Sequence, residues 1–496
     1  MLEFDRLFIG GQWRAPAGPG RCEVVSPATE QVMGRLPAAE KADMDAAVAA
    51  ARAAFDTGPW PRMSFEERAE ITLRLADHLV PRAEELALLQ TDEMGAPVRF
   101  TRPSTAHVVR GLIERYIETV RAVELRELRQ GGGGPSLVIR EPVGVVAAVI
   151  PWNAPLGLIL SKMLPATLTG CTVVVKPAPE TPLDGYAVGE AVRQAGYPDG
   201  VVSIVPADRE VGEHLVAHPD VDMVTFTGST AAGRRIGAIC GEQVKRVSLE
   251  LGGKSAALVL EDADLERDIP KMVNGAMQNN GQICAAITRV LAPVSRYQEV
   301  ADRYCAAVSE LTVGDPRADA TDIGPLVSAR QRDRVEGYLA SGREQGAEVA
   351  VGGGRPAGLS RGWFVEPTVF VDVDNAMRIA REEIFGPVSV IIPYATEADA
   401  VRIANDSPYG LSGSVFTADV ERGIDVAGRI RTGQVTVNDF RISSHAPFGG
   451  FKCSGIGREG GPEGVGAYLE YKSVNLPEDA AGTRSERAGT VRRPGA

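Results

Sequence analysis

The chain has 496 residues, too many for one compact core, so two large domains or one elaborated α/β unit with an appendage are expected. Apolar residues make up 44% and charged residues 24%, which are the proportions of a globular chain and argue against a disordered or fibrous protein. A formal charge of −12 argues against a nucleic-acid or anionic-membrane surface and leaves small molecules as the expected partners.

The opening "MLEFDRLFIGGQW" has no basic stretch followed by an apolar one. No segment reaches the roughly 18 apolar residues of a membrane span, so a cytoplasmic location is expected. Apolar residues recurring at three and four predict amphipathic helices from Asp43 to Phe55 and from Ser64 to about Met94, and "SFEE" at 64–67 predicts a capping box. "GGGGP" at 131–135 between extended segments predicts a hairpin standing off the main body. From residue 144 the pattern alternates: apolar runs at 144–150, 172–175 and 201–205 are separated by helical stretches from Leu156 and near 184–195. "VDMVTFTGSTAAGRRIGAI" repeats strand, turn and helix, so the expected fold class is α/β with a doubly wound parallel sheet. Beyond "LELGGK" a looser alternation predicts a second α/β domain from about residue 253, and the tail from about Pro477 has almost nothing to bury.

Six cysteines are scattered without paired spacing, which predicts free thiols in a reducing compartment, and no HxxE or HxH pattern suggests a metal site. Gly228 and Gly233 stand between a strand ending at Phe226 and a helix, where backbone amides can receive a phosphate; a plain β-to-α turn fits the residues equally. Cys284 in "GQICAA" is either a packing thiol or a nucleophile. None of the five histidines lies near it in sequence, so a thiol mechanism would recruit a carboxylate as base. Glu250, among apolar residues beside a Gly-Gly turn, is the candidate, and a solvated strand-end glutamate is the bland alternative. Asn153 is either a turn residue or an oxyanion donor.

Seven motifs in order, "PWNAP", "KPAPETP", "FTGST", "LELGGK", "GQICAA", "EEIFGPV" and "PFGGFKCSGIGRE", resemble the NAD(P)-dependent aldehyde dehydrogenase superfamily, of the hydrolytic type, over about residues 5–475. The resemblance implies a dinucleotide-binding domain over 1–123 and 143–252 and a catalytic domain over 253–453. Segments 124–142 and 463–477 would then form a small β oligomerisation element serving a homodimer or homotetramer, and 478–496 a disordered tail. It further implies that Cys284 is the nucleophile, Glu250 the general base and Asn153, with the backbone N–H of Cys284, the oxyanion hole. Lys162 and Glu459 match a proton-relaying pair.

For the cofactor, the resemblance implies that Gly228, Ser229 and Gly233 form the pyrophosphate turn and that Lys176 faces the adenosine ribose. Glu383 and Phe385 would contact the nicotinamide ribose, with Trp152 and Leu251 lining the same cleft. The chain departs from many NAD-preferring members by placing Pro179 where they have glutamate, with Glu180 displaced by one. Proline neither binds ribose hydroxyls nor repels a 2′-phosphate; NAD is expected and NADP left open. The tunnel residues would be Ala154, Leu158 and Ser161 after the oxyanion asparagine, Ile283 and Ala285 around the thiol, and Ile442 with Phe448. They include no arginine for a semialdehyde carboxylate and no aromatic cage for a quaternary ammonium, so apolar aldehydes are expected. A CoA-acylating semialdehyde dehydrogenase and a thiol esterase are the alternative readings; the first commonly lacks the base.

Overall fold

The structure, a computed structural model, describes residues 1–131, 134–443 and 445–477. The tail 478–496 and Gly132–Gly133 of the glycine-rich turn lie outside the described residues.

The two predicted helical stretches form helices Lys41–Asp56, Phe65–Leu79 and Ala83–Met94. The second stretch is divided because Pro81 has no N–H to donate, and Val80–Arg82 tightens into a 3-10 turn. At its start the capping box forms: the Ser64 N–H donates to Glu67 Oε2 at 2.7 Å and the Glu67 N–H to Ser64 Oγ at 3.3 Å. Buried Ile71, Leu75 and Leu79 press this helix onto the core below the first sheet.

That sheet sets Arg246–Glu250, Met223–Thr227, Val145–Val149, Thr172–Lys176 and Val202–Ile204 side by side and parallel. Val145–Ala148 and Val173–Val175 are wholly buried, as strands covered by helices on both faces must be. The chain starts at Val145–Val149 and steps outward to Val202–Ile204, then returns to the other flank for Met223–Thr227 and Arg246–Glu250. The strand order therefore reverses between Val145–Val149 and Met223–Thr227, and the crevice beyond their carboxyl ends is where such sheets bind ligands. Leu7–Ile9 and Gly455–Ile456 extend the two flanks antiparallel.

A second sheet orders Thr368–Val371, Val388–Tyr394, Arg289–Pro293, Ala256–Val259, Gly413–Phe416 and Thr436–Val437 in parallel, with Glu348–Val351 antiparallel at one edge. The α/β expectation, with a parallel sheet in each half, therefore holds. The hairpin Arg126–Arg129 with Ser136–Pro142 also forms, but it is not alone. Leu469–Asn475 pairs with it in seven consecutive steps, from Leu469 opposite Pro142 to Asn475 opposite Ser136. Among the described residues no helix is long and apolar enough to cross a membrane.

Candidate active site

Trp152 and Asn153 follow the strand Val145–Val149, Gly228 and Ser229 follow Met223–Thr227, and Glu250 ends Arg246–Glu250. All of them therefore gather at the crevice where the strand order reverses. Cys284 comes from elsewhere, on the segment after helix Leu265–Met277. It is brought in because "LELGG" lies flat upon it: a Cβ on Gly253 would stand 2.3 Å from the Cys284 carbonyl oxygen, so only glycine fits.

The Cys284 segment is held by its neighbours in sequence. Asn279, Asn280 and Gly281 take consecutive left-handed conformations, with φ of 52°, 58° and 69°. Asn280 Nδ2 donates to the carbonyls of Gly95 and Pro325, both at 2.9 Å, and its Oδ1 accepts the Gly324 N–H at 2.7 Å. Gln282 Oε1 accepts the Val327 N–H at 3.1 Å. Asn153 Nδ2 donates to the Gln282 carbonyl at 3.0 Å, which brings the amide to the chain two residues before the thiol. An amide nitrogen has two hydrogens, so one remains for a developing alkoxide.

Cys284 keeps part of its surface accessible, yet enough protein surrounds it that burial dominates, and with Glu383 and Glu250 nearby its thiol is pushed up to about 12. Glu250 is 2% exposed and neither carboxyl oxygen has a protein hydrogen-bond partner. Burial, and secondarily Glu459, hold its carboxyl well above the ordinary carboxylate range, opposed by Lys162 and Arg458. A Cβ on Gly449 would lie 2.5 Å from Glu250 Oε1, so the "PFGG" glycine closes over the carboxylate. The fully buried Lys162 pairs through Nζ with Glu459 Oε1 and donates to Thr225 Oγ1 at 3.3 Å. Glu459 is fixed by a two-way backbone bridge to Phe448 at 2.7 Å. The structure thus brings Glu250, Lys162 and Glu459 together.

The residues expected to hold the cofactor occupy the same crevice. The Gly228 N–H donates to the Glu250 carbonyl at 3.0 Å, and a Cβ on Gly228 would stand 2.4 Å from the Phe226 ring. Ser229 caps helix Thr230–Glu242, accepting the Ala232 N–H at 3.3 Å, so the helix N-terminus opens on the crevice. A Cβ on Gly233 would lie 2.4 Å from Leu251 Cδ2, which makes Gly233 and Leu251 the pair that lets helix and strand approach closely. Thr227 Oγ1 is buried in this turn without a protein partner, a donor free for a phosphate oxygen. Lys176 donates to the Ala207 carbonyl at 2.9 Å, and burial lowers its ammonium to about 8 against the pull of Glu180 and Asp208. Glu383 Oε1 accepts the Gly253 N–H at 3.1 Å, and burial pushes its carboxyl up to about 7. Trp152 and Phe385 meet edge to face with centroids 5.2 Å apart, Phe385 in a left-handed conformation with φ 63°. A glycine turn, a helix N-terminus, the Glu383 carboxylate and two aromatic walls fit a dinucleotide.

Residues 13–474 match the model of the aldehyde dehydrogenase family. The chain belongs to that family. It is 47% identical over 476 residues to the geranial dehydrogenase of Castellaniella defragrans, covering 96% of this chain and 99% of the relative. It is 42% identical to the 3-succinoylsemialdehyde-pyridine dehydrogenase of a Pseudomonas species, covering 96% and 99%. The solved Mycobacterium tuberculosis aldehyde dehydrogenase complexed with NAD+ superposes with a TM-score of 0.94 at 50% identity, covering 96% of this chain and 99% of that one. A Pseudomonas syringae aldehyde dehydrogenase, solved as a cysteine-to-alanine mutant with NAD+ and octanal, superposes with a TM-score of 0.92 at 40% identity, covering 95% and 96%.

In this dehydrogenase Ala154, Leu158, Ser161, Ile283 and Phe448 are half-buried, Ala285 is wholly buried, and Ile442 is 47% exposed. Ser161 Oγ donates to the Leu158 carbonyl at 3.2 Å within its own helix, so its hydroxyl hydrogen is already spent. A separate groove of about 670 Å³ lies between Phe100, Pro103, Val273, Met277 and Leu311. It meets the Cys284 segment through Gln278 and Asn279 and is lined neither by Cys284 nor by any of the seven residues expected to form the tunnel. Sequence reasoning missed Asn279, Asn280 and Gln282. Their one signal was the pair of asparagines before glycine, residue types that tolerate left-handed backbone. It also missed Gln331 and Arg334, which donate to the carbonyls of Phe385 and Glu383 and fix that pair.

Proposed function

We propose that this aldehyde dehydrogenase oxidises apolar aldehydes, aliphatic, aromatic or terpenoid, to carboxylic acids by the hydrolytic route. The observation that carries the route is Glu250, a buried carboxylate with no protein partner, on the strand whose following glycines pack against the Cys284 segment. A base so placed serves water and has no evident use in transfer to CoA.

The Cys284 thiol gives its proton to Glu250, which passes it on to solvent, as Sγ adds to the aldehyde carbon, and the resulting alkoxide receives the free N–H of Asn153 Nδ2 and the Cys284 backbone N–H. Bound NAD+ supplies the two-electron acceptor for the hydride that leaves this carbon. The carbon then stands as a thioester on Cys284. Glu250 takes a proton from water, the oxygen attacks the thioester, and the C–S bond breaks to release the acid and return the thiolate. Lys162 and Glu459 hold the path by which the proton leaves Glu250.

Apolar substrates are supported by the uncharged tunnel residues and by the geranial-oxidising relative and octanal-bound neighbour. Preference for NAD over NADP is supported by the acids nearest Lys176: Asp208 faces it, and Glu180 stands close while paired with Arg330 at 2.8 Å. Self-association as a homodimer or homotetramer is supported by Leu128, Tyr471 and Val474, exposed on the small three-stranded sheet. Six unpaired cysteines agree with a cytoplasmic location.

The test is NADH formation over octanal, geranial, benzaldehyde, succinic semialdehyde and betaine aldehyde, with Cys284→Ala and Glu250→Gln alongside. Cys284→Ala should abolish turnover. Glu250→Gln should release one equivalent of NADH and then slow by about 10²–10⁴-fold. Normal turnover by Cys284→Ala would refute the mechanism, and a kinetic preference for succinic semialdehyde or betaine aldehyde would refute the substrate class.

A further inference from the structure

Asn279 hydrogen-bonds to both main-chain segments that carry the proposed oxyanion donors. Its Nδ2 donates to the Asn153 carbonyl at 2.9 Å and to the Gln282 carbonyl at 3.5 Å, while its own carbonyl accepts the Gln282 N–H at 2.9 Å. The Gln282 carbonyl also receives the Asn153 amide, so both its acceptor sites are filled by asparagines. The side chain is 2% exposed, and its Oδ1 is buried with no partner. An unpaired buried oxygen and a left-handed backbone both carry a cost, and the two donated bonds are what the residue gains in return.

We propose that Asn279 is a positioning residue that sets the separation between the Asn153 amide and the Cys284 backbone N–H, and so the fit of the oxyanion site to the alkoxide. The inference rests on the hydrolytic thiol mechanism proposed above. One amide group ties the main chain carrying the first donor to the main chain two residues before the second. With this tie cut, the hydrogen bond left between the two segments among the described residues is that of Asn153 to Gln282, and the Asn153 main chain can drift. Stabilisation of an oxyanion depends on donors aimed within a few tenths of an ångström of the developing charge, so drift reduces the rate without removing either donor.

Two substitutions separate the side chain's donation from its backbone conformation. Asn279→Gly keeps the left-handed conformation at ease and removes both bonds. Asn279→Asp keeps shape and backbone preference but sets an oxygen where Nδ2 faced two carbonyls. In both, kcat and kcat/KM for octanal oxidation should fall together by about 100-fold. The Kd for NAD+ and the thermal midpoint of the glycine variant should stay near those of the wild type. In an Asn153→Ala background, Asn279→Gly should cost less than about 3-fold more, because its effect runs through Asn153. A merely structural residue would lower the thermal midpoint and multiply with Asn153→Ala; that result overturns the inference. An active wild type with an undiminished Asn279→Gly overturns it alone, whereas a wild type making no NADH overturns the activity on which it rests.

Discussion

Glu250 accepts a proton only when ionised, and burial with Glu459 nearby holds its carboxyl above the ordinary range. Thioester hydrolysis should therefore rise with pH through a midpoint higher than that of a solvated carboxylate. Glu459→Gln removes a negative neighbour and frees the Lys162 ammonium, so it should move that midpoint down. Lys162→Met removes a positive neighbour and should move it up. Single-turnover hydrolysis followed across pH measures both, and a midpoint unmoved by either would mean that another group titrates. At this scale Cys284, Glu250 and Asn153 each left a packing, solvated or turn reading open on their own, and only the resemblance carried by the seven motifs singled them out. Asn280 was not legible, because its work is done against Gly95, 185 residues away, and Pro325, 45 away, through a conformation that composition does not print.

Two buried acids join three helices. Glu93, within Ala83–Met94, accepts the Leu183 N–H at 2.9 Å at the start of Leu183–Ala195, and Asp184 accepts the Leu156 N–H at 3.1 Å in the first turn of Pro155–Thr169. Each carboxyl meets the positive end of a helix, as an N-cap would. Burial pushes Asp184 up to about 7, and burial with Asp184 beside it raises Glu93 well above its usual range. The folded chain therefore holds protons that the unfolded chain releases above roughly pH 4. Stability contributed by the protonated pair is full at low pH and declines as pH rises through about 7. Between pH 6 and 8.5 the thermal midpoint should fall by roughly 5 °C. Asp184→Asn should flatten that decline, and a decline of unchanged steepness would contradict the assignment. These elements were readable from periodicity, and the Ser64 box marked its helix start locally. The caps on the other two were not readable, since Glu93 and Leu183 stand 90 residues apart.

Across the whole molecule, alternating strands and helices were enough to foresee a parallel sheet in the first half and a second α/β unit after it. The two-residue strand Gly455–Ile456, which extends the first sheet beside Glu250, has no period to read and appears only through its partner. The small sheet that carries Leu128 and Tyr471 is where self-association should be broken. Leu128→Asp with Tyr471→Asp should lower the mass measured by sedimentation, and a wild type that already sediments as a monomer would remove the premise. That sheet has a further consequence for how the chain is made. Ser136 and Asn475 are 339 residues apart, so the Ser136–Pro142 edge emerges from the ribosome long before its third strand exists. At about 5–20 residues per second, translation leaves that edge open for roughly 20 to 70 seconds. During that time its unpaired amides and carbonyls are available to any neighbouring nascent chain, and only synthesis of the last described residues closes them.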